Sequence, residues 1–167
     1  MFIQDKGTPW VKSANTIMYG VLSAQGFIAL IATFMMEGMW VQNIVAYCLF
    51  TAPAFLLLIS RPYDVSTRIV VGLAIQLNTA LHIHITAGLT EMHFEIFAML
   101  AILAIYQDWR VIASSVALIA IHHFLFFFLQ SEGMPVYAFE EGRLVYGILA
   151  MHALFAVAEG LILIFSC

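Results

Sequence analysis

Long apolar runs, each broken by a short polar cluster, set the rhythm of this chain. The uncharged hydrophobic segments recur six times, and each approaches the roughly 20 residues that a helix needs to cross hydrocarbon. The pattern predicts six transmembrane helices over about 17–36, 39–60, 67–89, 92–107, 110–130 and 143–165. The breaks carry turn chemistry. Glu37-Gly38 turns the first helix into the second, and Arg61-Pro62-Tyr63-Asp64 stops the second, because proline disfavours helical geometry in its predecessor. Gly88-Leu89-Thr90 separates the third and fourth helices, with Thr90 as N-cap and Glu91 placed where the helix dipole favours a negative charge. Asp108-Trp109-Arg110 starts the fifth, Trp109 serving as an interfacial anchor. Ser131 to Gly142 is the one longer connection. The fold class expected is all-α: an integral membrane six-helix bundle in a single domain spanning 1–167.

Composition agrees with this reading. The chain is 63% hydrophobic and only 10% charged, against about a quarter charged in soluble domains. Its net charge of −4, with six Lys plus Arg, leaves no basic footprint for nucleic acid. The first apolar run lacks a small-residue cleavage pattern and is followed at once by a second span, unlike a removable signal peptide. Cys48, within the second span, and Cys167, at the chain end, do not make a disulfide framework.

Charge also orients the bundle. Lys6, Lys12, Arg61, Arg68 and Arg110 fall on one side of a six-span topology and Arg143 on the other, so the positive-inside rule makes both termini cytoplasmic. Glu37, Glu91, Glu132, Glu140 and Glu141 then form an acidic outer mouth, with Glu95 one turn into the fourth helix.

Six histidines occupy this apolar chain within 71 residues: His82, His84, His93, His122, His123 and His152. An ionisable group at bilayer depth costs several kcal/mol unless it faces the bundle interior and finds a partner. With a rise of about 1.5 Å per residue, all six lie in the outer half, contributed by four helices. Imidazoles meeting at one depth suit a transition metal or haem iron. His122 and His123 point about 100° apart and should do different jobs; His82 and His84 diverge by about 200°, so one at most faces a given centre. His84 is the better choice, because Leu77, Ala80 and Gly88 share its stripe and let a flat ligand or another helix approach closely. Glu159, seven residues after His152 and about 10 Å deeper on the same face, can orient an imidazole or accept its proton. Alternatively, it bonds Gln25, Gln76 or Asn78 as packing.

Two weaker signals accompany the histidines. Met35, Met36, Met39, Met92 and Met134 lie at the outer mouth, where thioethers suit Cu(I) or simply fill gaps. Phe94, Phe97, Phe124, Phe126 and Phe155 can wall a porphyrin pocket or pack the bundle.

The run from His84 to Trp109, with Gly88, Glu91-Met92-His93-Phe94 and Tyr106-Gln107-Asp108-Trp109-Arg110, is extended by His122-His123, Val136-Tyr137 and Met151-His152. Over roughly the last half of the chain it resembles the six-helix sensory segment attached to bacterial chemotaxis receptors, diguanylate cyclases and sensor histidine kinases. The resemblance implies a signal-input module of the bacterial inner membrane, with His84, His93, His122, His123 and His152 matching that family's histidine positions. His82 does not match. The chain ends at Cys167 just after the sixth helix, which leads us to expect either the sensory part of a longer receptor or a module with a separate partner. A looser likeness, in Leu81-His82-Ile83-His84 and Ile121-His122-His123, is to the histidine usage of haem-copper oxidases; it shows only that such constellations hold haem and copper.

The function expected is a membrane sensor binding haem b, with copper as an additional or alternative occupant, that reads redox state or a gas ligand. A copper receptor, a cytochrome-type oxidoreductase acting on quinone and a proton channel are the alternatives. Short loops, and no nucleotide-binding domain, weigh against most catalysis. The partners expected are the lipid bilayer, a cytoplasmic output domain, C-terminal or separate, and a second copy of the chain.

Overall fold

In the computed structural model, residues 9–167 are described; Lys6 lies outside them. They form six helices: α1 (Pro9–Met35), α2 (Trp40–Ser60), α3 (Val65–Ile85), α4 (Phe94–Leu103), α5 (Trp109–Ser131) and α6 (Tyr146–Ser166). Short 3-10 turns, Thr90–His93 and Ala104–Tyr106, extend α4 at both ends. All but α4 are long and apolar enough to cross a membrane.

The helix ends differ from the expected ones for local reasons. The first helix is already formed at Pro9, the first described residue and well before the apolar run at 17, and buried Val11 and Ala14 give that turn a core face. The third ends at Ile85 rather than 89, where Thr86 turns its hydroxyl onto the His82 carbonyl and Gly88 takes a positive φ of 81°. The fourth is ten α-helical residues with tightened ends in place of a full span over 92–107. Thr90 is not the N-cap; its backbone N–H is taken instead by the Glu140 carboxylate at 3.1 Å. Asp108 caps α5 as expected, accepting from the Arg110 N–H, and Asp64 caps α3 by accepting from Ser66.

At one end of the bundle a polar belt ties the helices together. Asn15 of α1 donates to the Pro62 carbonyl, and the Tyr106 hydroxyl donates to Asn15. Arg68, at the start of α3, pairs with Asp108, at the start of α5, at 3.4 Å. Since α3 and α5 start at the same end, α4 with its two turns carries the chain back across the bundle between them. Helices therefore alternate in direction, and Cys167, beside the Asp108 backbone, ends near the start of α1.

Helix α3 is the axis. It packs against α1, α2, α4 and α5, and 72% of its apolar window is buried, against 11% for α6. Around it Met18, Leu22, Ile75, Leu103, Tyr106 and Ile112 form the main apolar layer. A smaller one, Ile83, Ile96, Leu100 and Ile119, lies above it. Helix α6 leans on α5 at Gly160, where an added Cβ would come within 2.7 Å of Val116; small residues let membrane helices approach this closely.

Candidate functional site

Three of the histidines meet at the end of the bundle away from the polar belt. The rings of His93, His123 and His152, from the turn before α4, from α5 and from α6, form a triangle with centroid separations of 5.4, 5.0 and 6.0 Å. They edge a cavity of about 470 Å³ between α4, α5 and α6. Its walls are largely apolar: Phe97, Phe124 and Tyr146 are aromatic members beside the histidines, and the small side chains of Ala120, Ala150, Ala153 and Ala156 leave the space between the two long helices unfilled. Of the other phenylalanines considered from the sequence, Phe126 packs on His84 and His122, and Phe94 and Phe155 are exposed.

Hydrogen bonding distinguishes the three rings. His123 Nδ1 meets the Ile119 carbonyl at 3.0 Å and His152 Nδ1 meets the Ile148 carbonyl at 2.8 Å, each one turn back on its own helix. A carbonyl only accepts, so both rings carry their proton on Nδ1 and keep a lone pair on Nε2. His123 Nε2 is buried and has no partner, an expensive condition for a polar atom. A metal-binding imidazole has this arrangement, one nitrogen donating to a carbonyl and the other free. His93 differs: Nδ1 faces the Leu89 carbonyl and Nε2 the Ala138 carbonyl, so neither nitrogen is free.

The loop between α5 and α6 supplies that second carbonyl. Gln130, in the last turn of α5, donates to the Phe139 carbonyl and accepts from the N–H groups of Ala138 and Phe139. Ala138 and Phe139 are thereby drawn in and buried, with the Phe139 ring within 6.3 Å of His93, 5.8 Å of His123 and 5.4 Å of His152. The loop also seats on Gly88, where a Cβ would lie 2.3 Å from the Phe139 carbonyl carbon. The close approach expected at Gly88 is thus made by loop backbone, in place of the flat ligand or helix considered from the sequence. His84 itself accepts from the Tyr137 N–H through Nδ1 and packs against Tyr137 and Phe126. His122 stacks on Phe126 at 4.1 Å and points away from the cavity, as its 100° offset from His123 requires.

Of the secondary candidates, Glu91 is exposed. Glu159 keeps one carboxylate oxygen buried and unpartnered, and no bond joins it to Gln25, Gln76 or Asn78. Among the described residues no group of three or more His, Cys, Asp and Glu side chains is arranged to hold a metal ion. The mouth methionines Met35, Met36, Met39 and Met134 are exposed, and Met92 packs against the Ile83 layer.

His82 has the most buried position of all, in a place the sequence pattern did not assign. Its Nδ1 lies 2.7 Å from Glu95 Oε2 and its Nε2 2.9 Å from the Gln25 carbonyl. The Gln25 side chain donates to Glu95 Oε1, to Thr79 and to the Ile75 carbonyl. The legible signal was a polar residue on each of three apolar segments, Gln25, His82 and Glu95.

Comparisons with family models, with curated proteins and with solved structures find no match. The chemistry of the site is therefore read from the geometry of the chain itself.

Proposed function

We propose that this chain is a membrane-embedded signal-input module that binds haem b through His123 and His152 in the cavity between α5 and α6. One observation carries the reading: two imidazoles from adjacent helices, each with Nδ1 occupied by a backbone carbonyl and Nε2 free, border the same apolar cavity. Two centroids 6.0 Å apart leave room for one ion between the rings, since each nitrogen would sit about 2.0 Å from a bound metal. When bound, haem iron supplies a change of charge or of axial ligation, strongly felt in a low-dielectric site. The chain's own residues do the rest. The carbonyls of Ile119 and Ile148 fix both ring tautomers, Phe139 packs against both rings, and the alanines of α5 and α6 leave the cavity between the two helices open.

In this reading all six helices cross the bacterial inner membrane, α4 doing so with the help of its 3-10 turns. Both termini face the cytoplasm, and the charge bias of the loops supports that orientation. Output passes through α6 to a cytoplasmic domain, C-terminal or separate, as a small helix displacement. The resemblance over the last half of the chain supports the role of input module. A copper ion held by the same two nitrogens is the second reading. It is favoured by His93, whose two bonded nitrogens leave the triangle only two donors, because Cu(I) accepts few, soft ligands.

The absorption spectrum of the purified protein tests both. A Soret band lost in His123→Ala and His152→Ala, and kept in His84→Ala, is the expected result. A colourless protein holding stoichiometric copper supports the second reading. A protein free of both overturns the proposal, and rapid quinol oxidation would replace the sensor with an enzyme.

A further inference from the structure

A second site lies on the other side of α3. His82 is fully buried, and both of its ring nitrogens meet acceptors: the Gln25 carbonyl at 2.9 Å and Glu95 Oε2 at 2.7 Å. A neutral imidazole has one N–H. If that proton points to Gln25, two lone pairs face each other across 2.7 Å unless a further proton sits between Nδ1 and Oε2. The other carboxylate oxygen is already occupied, accepting from the Gln25 side chain at 2.9 Å. The geometry is satisfied in one charge state: a single extra proton shared by the pair, written as imidazolium with carboxylate or as imidazole with carboxylic acid, and neutral overall.

This pair caps a polar seam. Thr79, one turn below, also bonds Gln25. Asn78 and Gln76 follow on α3, both fully buried with neither amide atom partnered, and Ser115 lies beside Gly72 with its hydroxyl unpartnered too. Buried, unpaired polar groups of this kind are where ordered water is held. Glu95 is the member with access, its side chain 11% exposed.

We propose that His82, Glu95 and Gln25 form a buried proton-binding site, in which the His82–Glu95 pair holds one shared proton between Nδ1 and Oε2. Unloading it leaves an uncompensated buried charge where α1, α3 and α4 join. Other ionisable groups near this level are not part of the pair: Tyr47 of α2 donates to the Leu22 carbonyl, and His93 meets only the neutral carbonyls of Leu89 and Ala138, with no carboxylate to share or balance a second ring proton. The site does not rest on the cofactor reading, and its test needs no bound cofactor.

The test uses the full chain, labelled with ¹⁵N-histidine, in lipid nanodiscs at about pH 7.5. Either one imidazole shows two protonated ring nitrogens, or infrared spectra show one buried protonated carboxyl. Whichever signal is present should vanish in Glu95→Gln, which keeps the side chain's shape. The proposal is overturned by six neutral imidazoles with no protonated carboxyl, and equally by a signal that survives Glu95→Gln, which would belong to His93 or Glu159. Wild-type spectra alone decide the first outcome should the variant fail to fold.

Discussion

For a histidine in a membrane bundle, what each ring nitrogen touches decides its role more than its depth does. His123 and His152 have one nitrogen spent on a carbonyl and the other open, His93 has none open, and His84 has its Nδ1 lone pair engaged by a backbone N–H. Depth was legible in the sequence, from helix rise alone. The bonding of His93 and His84 was not, because it depends on loop backbone at Ala138 and Tyr137, from a segment with no periodic signal. His82 shows the same limit: its lack of a family counterpart made it doubtful, while its bonds to Gln25 and Glu95, 57 and 13 residues away, appear only when three helices are assembled. At this scale Asp108 gives a clear expectation. Its carboxylate is 5% exposed, caps α5 and pairs with Arg68 and Arg110. Asp108→Ala strands the buried guanidinium of Arg68, and a loss of roughly 3 kcal/mol is expected from breaking one side of a buried pair, read as a lowered melting temperature in detergent. Asp64 is the solvent-facing counterpart. The Ser66 N–H donating to it holds its carboxyl below the usual carboxylate range, so its cap contributes above that range and is lost as pH falls through the lowered value. The gap in melting temperature between wild type and Asp64→Ala should therefore close on acidification from about pH 7 to about pH 3.

Element boundaries were readable where side chains set them and misread where backbone geometry did. The stop at Arg61-Pro62 and the cap at Asp108 follow from local chemistry, and the structure places α2 and α5 within a residue or two of expectation. The tightening of α4 into 3-10 turns was hidden, because an apolar run reads alike in either helix. So was the loop between α5 and α6, whose buried Ala138 and Phe139 look like ordinary loop residues in the sequence. Gly88 is the hinge of that arrangement, combining φ of 81° with backbone contact to Phe139. Gly88→Ala should release the loop: the Ala138 and Phe139 amides, protected in wild type, are expected to exchange hydrogen at least tenfold faster by mass spectrometry, while overall helix content holds. In α6 the matching position is Gly160. Gly160→Val should push α6 off Val116 and, under the proposed haem reading, lower the haem-to-protein ratio with both histidines intact.

For the whole molecule the six-helix count and the alternating path were legible from apolar run length, and the polar belt accounts for why both described ends come together. Sidedness rests on the charge bias, and labelling checks it. A membrane-impermeant maleimide added to intact spheroplasts is expected to leave Cys167 unmodified and to modify a cysteine placed at Glu141; the reverse pattern would invert the topology.

Helix α6 is the least embedded of the long helices, held mainly along the Gly160 contact with α5. It bears His152 near one end and delivers Cys167 beside Asp108 at the other. In the proposed input role, most of the α6 surface is left to lipid, and a displacement of the imidazole at one tip would have the Arg68 and Asp108 clasp as its far terminus, roughly twenty ångströms off at about 1.5 Å per residue.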